Sequence, residues 1–242
     1  MTSAESGRRA ELAENLKALR ARVAAACQAA GRDAAEITVV AVTKTWPVSD
    51  IRLLTGLGVT DIGENRDQEA APKAAECADL PLTWHFVGQL QTNKCRSVVR
   101  YADVVHSVDR PRLVRVLAQE ARRAGRVVTC LVQVDLDDEG TAASAAPRGG
   151  VRADQALPLA RQVTAEHGLR LGGVMAVAPL GTRSRDAFSR LEAVAAELRA
   201  IYPAAGVISA GMSGDLEEAV EAGATHLRVG TALLGARRVF VR

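Results

Sequence analysis

The sequence predicts an α/β protein: a single (β/α)8 TIM barrel of parallel strands with an extra helix at its N-terminus. Three observations predict it. Short apolar, β-branched runs recur along the chain, the pattern of strands buried on both faces. Stretches of helical spacing separate them, which makes the links right-handed crossovers between parallel strands. Eight such units fit into 242 residues, a size that closed barrels of this kind reach as one unit. A doubly wound open sheet is the alternative. The first strand–helix turn holds no G-x-G-x-x-G, which weakens a dinucleotide-binding reading.

The elements follow in order. Leu12, Leu16, Leu19 and Val23 repeat with helical spacing over residues 11–30, ahead of a stop at Gly31. Residues 37–43 (ITVVAVT) form the first strand. A helix is expected from Ser49 to Leu57, with Ser49 as its cap. Further strands are expected at 61–64, 84–88, 103–107, 129–134, 171–177, 207–210 and 226–230. Helices are expected at 93–100, 111–124, 153–167, 185–202 and 215–222. Residues 135–152, rich in Gly, Ala, Ser and Asp, make the one long loop. Nothing marks a linker or a repeat, so residues 1–242 are expected to form one domain.

Composition narrows the function. The chain is 48% hydrophobic, enough for a sizeable core. Net charge is only +3 and aromatics are 3%, so nucleic acid is a poor partner. The N-terminus lacks the apolar core of a signal peptide, and no run reaches the roughly 18 apolar residues of a spanning helix. Cys27, Cys77, Cys95 and Cys130 form no C-x-x-C pair, so no metal site is expected. These features predict a cytoplasmic protein with reduced thiols and no membrane partner. Of 31 basic residues only Lys17, Lys44, Lys73 and Lys94 are lysines. Lysine is required where an amine must deprotonate, because guanidinium stays charged.

In such a barrel, function collects at the C-terminal ends of strands. Lys44 closes the first strand beside an apolar interior, where desolvation favours a nucleophilic amine. The bland reading is a surface lysine. After the second strand, Asn65 could hydrogen-bond a ligand and Glu64 could be a helix-start carboxylate; an ordinary turn is the alternative. His85 reads as a satisfied core histidine. Lys94 reads as a solvated helix-start lysine, or as an anion contact. Ser209-Ala-Gly-Met-Ser-Gly-Asp215 follows the seventh strand and Arg228-Val-Gly-Thr231 ends the eighth. Loops at these two places are the frequent phosphate site of the fold. Arg228 shares a strand face with Gly230, so it points inward, to a ligand or to a core carboxylate. An amine at strand one and an anion cradle at strands seven and eight suit a ligand with an aldehyde and a phosphate. Pyridoxal 5′-phosphate (PLP) is such a ligand.

These motifs resemble, over nearly the whole chain, the YggS/PROSC family of PLP-homeostasis proteins. The resemblance rests on Ala41-Val-Thr-Lys-Thr45, Gly63-Glu-Asn65 with Gln68-Glu69, and Trp84-His-Phe-Val-Gly88 with Leu90-Gln-Thr-Asn-Lys94. It continues through Gly211-Met-Ser213 with Asp215, and Arg228-Val-Gly-Thr231. The version with Val177-Ala-Pro-Leu-Gly181 resembles the actinobacterial branch. The resemblance implies a fold type III barrel, similar to the N-terminal domain of alanine racemase. It implies PLP held as a covalent aldimine on Lys44. Ser209, Gly211, Met212 and Ser213 match one phosphate-side loop, and Gly230 and Thr231 a second. Arg228 matches the arginine near the cofactor, and Asn65 a residue lining its face. The function implied is buffering or delivery of PLP, with PLP-dependent apoenzymes as recipients and no established catalysis. One departure stands out: the family's Val-Asn, Glu, Lys-x-Gly after strand five is here Val134-Asp135, Glu139 and Arg148-Gly-Gly150, a longer loop without the lysine.

Two other functions compete. A PLP-dependent amino-acid racemase needs a second acid–base group, which alanine racemase takes from a tyrosine of a separate C-terminal domain. Only Tyr101 and Tyr202 are present here, both expected away from the barrel mouth, and Arg242 follows soon after the last strand. An aldolase-like barrel using Lys44 on a sugar aldehyde is the other, but it leaves the motif set unexplained. A monomer is expected, since covering the barrel uses up the apolar helix faces.

Overall fold

The computed structural model describes residues 3–137, 149–179 and 184–236. Eight parallel strands close into a barrel in chain order. They are β1 (Thr38–Val42), β2 (Asp61–Glu64), β3 (Thr83–Phe86), β4 (Val104–Val108), β5 (Val128–Gln133), β6 (Leu169–Met175), β7 (Val207–Ser209) and β8 (His226–Val229). The ring closes where β8 pairs with β1, setting Val40 beside Arg228. The helices are α1 (Ser3–Ala29), α2 (Val48–Thr55), α3 (Asp67–Glu76), α4 (Cys95–Tyr101), α5 (Pro111–Arg123), α6 (Ala153–Ala165), α7 (Ser184–Ile201), α8 (Leu216–Glu221) and α9 (Thr231–Leu234).

All eight expected strands are present. Three details of the helices differ from expectation. Ser49 caps nothing: α2 starts at Val48 behind Pro47, with no side-chain cap. The segment 93–100 is a short 3-10 helix, Thr92–Lys94, followed by α4. Between β2 and β3 runs α3, which the sequence reading left unassigned. Its interior Pro72 removes a backbone donor and reads as a breaker. Burial of Asp67, Ala70, Lys73 and Ala74 along one face outweighs that cost.

Side chains alternate along each strand, so register sorts them into barrel-facing and helix-facing sets. Ala41 beside Ile62, and Ile62 beside Trp84, face the helices. They join a core with Ile51, Leu54, Val98, Leu113, Leu117, Leu159 and Leu191. The barrel-facing set runs through Val42, Gly63, His85, Val104 and Thr129, and through Met175, Ser209 and His226 to Arg228 and Val40. Barrels of this type are usually filled by branched aliphatic residues. Here His85, His106, Ser209 and Arg228 are buried inside. A polar interior costs desolvation unless every group is bonded.

Helix α1 buries Leu12, Leu16, Leu19 and Val23, the spacing read from sequence. It also braces loops at the C-terminal ends of the strands. Arg8 bonds Asp50 and the carbonyl of Leu234, and its guanidinium lies 4.5 Å from the Trp46 ring centre. Asn15 donates to the Leu233 carbonyl, and Arg22 to the Ser213 carbonyl at 3.2 Å. Among the described residues no helix is long and apolar enough to cross a membrane.

Candidate functional site

The site lies where β1, β7 and β8 end. At Thr43 the backbone still follows the β1–β2 ladder, donating to the Gly63 carbonyl at 3.0 Å. The Thr43 hydroxyl turns to the helix side, donating to Glu64 Oε1 at 2.7 Å. Alternation then leaves Lys44 to the barrel side. Lys44 is half-buried, and no described residue bonds its amine. Thr45, next in the chain, has φ of +70°, a conformation that a β-branched residue rarely adopts. Its N–H donates to Glu69 Oε2 at 3.0 Å, which holds the strained turn. Strain of this sort clusters at binding and active sites.

Behind that turn stands a bracket that sequence reading missed. Glu64 is not a helix-start carboxylate: it is the last residue of β2, fully buried on the helix side. Lys73, from α3, donates to Glu64 Oε1 at 2.6 Å and to the Thr43 carbonyl at 2.9 Å. Burial pushes the Glu64 carboxyl above its usual range, against the pull of Lys73 and Thr43. So an ion pair fixes the residue on one side of Lys44 and Glu69 the other.

Asn65 follows Glu64 and is half-buried. Its backbone passes so close to Gly88 that a Cβ there would come within 2.1 Å of the Asn65 carbonyl oxygen. Only glycine lets the two loops pass. Lys94 lies 3.8 Å from Asp67 Oδ2, so it serves a contact between helix starts.

The loops after β7 and β8 are joined: Ala232 N–H donates to Ser213 Oγ at 3.1 Å. Gly211 has φ of +85°, and a Cβ there would meet the Ala219 Cβ at 2.5 Å. Asp215 Oδ1 accepts the Met212 N–H at 2.6 Å. The N–H groups of Ser213, Gly214, Gly230 and Thr231 meet no acceptor among the described residues. Four unengaged donors on two tied loops suit an anion. Met212 is 40% exposed and Thr231 exposed, at the rim of this cradle.

Ser209 is placed differently from the rest of its loop. It is fully buried, and its hydroxyl lies 2.9 Å from His106 Nδ1 and 2.6 Å from Arg228 Nη1. Arg228 bonds no carboxylate among the described residues. Its Nη1 also donates to the Ser209 carbonyl at 2.8 Å and its Nη2 to the Ala176 carbonyl at 2.7 Å. Burial brings the guanidinium down to about 10, which leaves it charged at neutral pH. His85 is a satisfied core histidine, as expected: Nδ1 lies 2.9 Å from His106 Nε2 and Nε2 lies 3.0 Å from Asp61 Oδ1.

The histidines make stability depend on pH. Burial holds His226 down to about 4 and His106 well below the ordinary range. Burial raises the Asp61 carboxyl, but its bonds to His85 and Thr60 and the nearby imidazoles outweigh that, so it is held low as well. An imidazole that stays neutral when folded but binds a proton when unfolded makes the unfolded state the better proton binder. Stability is then full above pH of about 6.5 and falls as pH drops toward 4, by about 3 kcal/mol for His226 alone. Urea unfolding at pH 7.5, 5.5 and 4.5 checks this. A flat midpoint across that window would contradict it.

A family model described as alanine racemase, N-terminal domain, matches residues 14–238. The chain is 42% identical to the Pyridoxal phosphate homeostasis protein of Mycobacterium tuberculosis, over 98% of this chain and 97% of that one. The Escherichia coli protein of the same name is 36% identical, over 94% of this chain and 97% of that one. The chain belongs to the pyridoxal phosphate homeostasis family. Among solved structures, PipY of Synechococcus elongatus with PLP bound is similar at a TM-score of 0.77 and 34% identity, covering 93% of this chain and all of that one. Alanine racemase of Clostridium difficile, at 12% identity and a TM-score of 0.68, shares the fold over 95% of this chain and 58% of its own.

The family's departure at Glu139 and Arg148 lies outside the described residues, as do Leu180 and Gly181. The four cysteines are free and buried. Among the described residues no group of side chains is arranged to hold a metal ion.

Proposed function

We propose that this chain binds PLP at the barrel mouth, held covalently by Lys44, and serves PLP homeostasis by holding and releasing it. The observation that carries the proposal is the pairing of an unbonded amine with an anion cradle on neighbouring strands. Lys44 follows β1, and β1 pairs with β8, whose loop supplies Gly230 and Thr231. PLP, when bound, supplies an aldehyde that condenses with a primary amine, and a phosphate. Lys44 is the amine. The N–H groups of Ser213, Gly214, Gly230 and Thr231 take the phosphate, with Gly211 letting the backbone approach and Met212 covering the rim. Arg228 holds a positive charge below, backed by Ser209. Asn65 lines the cofactor face.

Carriage is favoured over racemisation. The curated relatives carry the homeostasis name. Tyr101 lies on the helix side of β3, packed edge-on against Trp84 with its hydroxyl toward Asp67. Tyr202 follows the end of α7. Neither stands at the mouth to serve as the second acid–base group. The cytoplasm, a monomeric state, one domain spanning the chain and PLP-dependent apoenzymes as recipients belong to the same proposal. Adding PLP to the purified chain should give one bound equivalent absorbing in the near-visible range, released to a PLP-requiring apoenzyme. Absence of binding would overturn the reading, and racemisation of alanine at enzyme rates would overturn the carrier part.

A further inference from the structure

Five polar groups form one continuous line through the barrel: Asp61, His85, His106, Ser209 and Arg228. Their separations are 3.0, 2.9, 2.9 and 2.6 Å, all hydrogen-bond distances. The line's interior members cost desolvation. With both rings neutral, the bonding has one direction, set from the Asp61 end. Asp61, as a carboxylate, only accepts, so His85 must donate from Nε2 and accept at Nδ1. His106 must then donate from Nε2 and accept at Nδ1. Arg228 only donates, so the Ser209 oxygen accepts from it and passes its own proton to His106. Reversal would set a bare His85 lone pair against the Asp61 carboxylate. In this arrangement each interior group is satisfied, and the charges stand at the two ends. His226, whose ring centre lies 6.2 Å from that of His85, faces the line but bonds Thr225 instead.

We propose that His85 and His106 are positioning residues for cofactor binding: anchored by Asp61, they fix the Ser209 hydroxyl and so orient Arg228 beneath bound PLP. The proposal rests on the PLP reading above. It places an essential contribution at Asp61, three hydrogen bonds from Ser209 and at the opposite end of its strand from the mouth.

Two measurements test it. Nitrogen-15 NMR of histidine-labelled full chain, without cofactor, should find both rings protonated at Nε2 only; a proton on Nδ1 of either ring overturns the direction. PLP titrations of Asp61→Asn, His85→Leu and His85→Gln then test the coupling. Asparagine can donate as well as accept, which frees the direction, and leucine breaks the line. Each should weaken PLP binding about tenfold, the worth of roughly one to two hydrogen bonds, and shift the absorption band. Glutamine donates and accepts as the imidazole does, so His85→Gln should stay within about threefold of wild type. Thermal melts establish which variants fold, and Asp61→Asn, at a partly exposed position, keeps the test open if His85→Leu does not. Wild-type affinity in Asp61→Asn overturns the proposal, as does a loss in folded His85→Gln equal to that in Asp61→Asn. Failure of the wild type to bind PLP would instead remove the functional reading, and the ring tautomers would still judge the line itself.

Discussion

Replacing Lys44 with alanine is expected to abolish covalent capture of PLP and weaken its binding by about 100-fold or more, equivalent to about 2.7 kcal/mol. The remaining donors hold phosphate whether or not the amine is present, so weak non-covalent binding should persist. Arginine at this position should behave like alanine toward capture, because its guanidinium keeps its proton and does not act as the amine. Stability should barely change, by less than about 0.5 kcal/mol, since Lys44 is half-buried and bonded to none of the described residues. The near-visible spectrum and a thermal melt read the two effects separately. A K44A protein that still captured PLP covalently would place the amine elsewhere.

Lys73→Met should be the most destabilising single change near the site, costing about 3–5 kcal/mol. It leaves the fully buried Glu64 carboxylate without its cation and the Thr43 carbonyl without its donor. The loss should depend on pH. Burial already raises the Glu64 carboxyl, and removing Lys73 raises it further. The folded variant then binds a proton more tightly than the unfolded chain, so its stability increases as pH falls through the raised value. Urea unfolding should therefore find a smaller loss at pH 5 than at pH 7.5. Pairing Lys73→Met with Glu64→Gln should recover part of the loss, because no charge is then left buried. An equal loss at both pH values, or no recovery in the double variant, would contradict this account of the bracket.

The barrel was legible because its strands are buried on both faces and so appear as apolar runs, as in ITVVAV before Thr43. Lys44, Gly230 and Thr231 were legible for a second reason: the fold places function at strand ends, and strand ends can be counted from sequence. The hidden parts depend on partners far apart in the chain. His106 and Ser209 are 103 residues apart, and no local pattern announces their bond. Lys73 carried one faint signal, as one of four lysines in an arginine-rich chain. The helix that presents it was masked by Pro72, whose local cost is outweighed by burial that only the folded barrel reveals. Ser209 shows the limit of motif reading. It stands in the phosphate-side motif, yet its hydroxyl is committed inside the barrel.

Lys44 remains the centre of the account, now as an amine whose two neighbours are tied down, Thr43 by Glu64 and Lys73, and Thr45 by Glu69. The most direct test is to load the chain with PLP, reduce it with borohydride and map the modified peptide. The account predicts one adduct, on Lys44. An adduct on Lys17, Lys73 or Lys94 with Lys44 unmodified would contradict it.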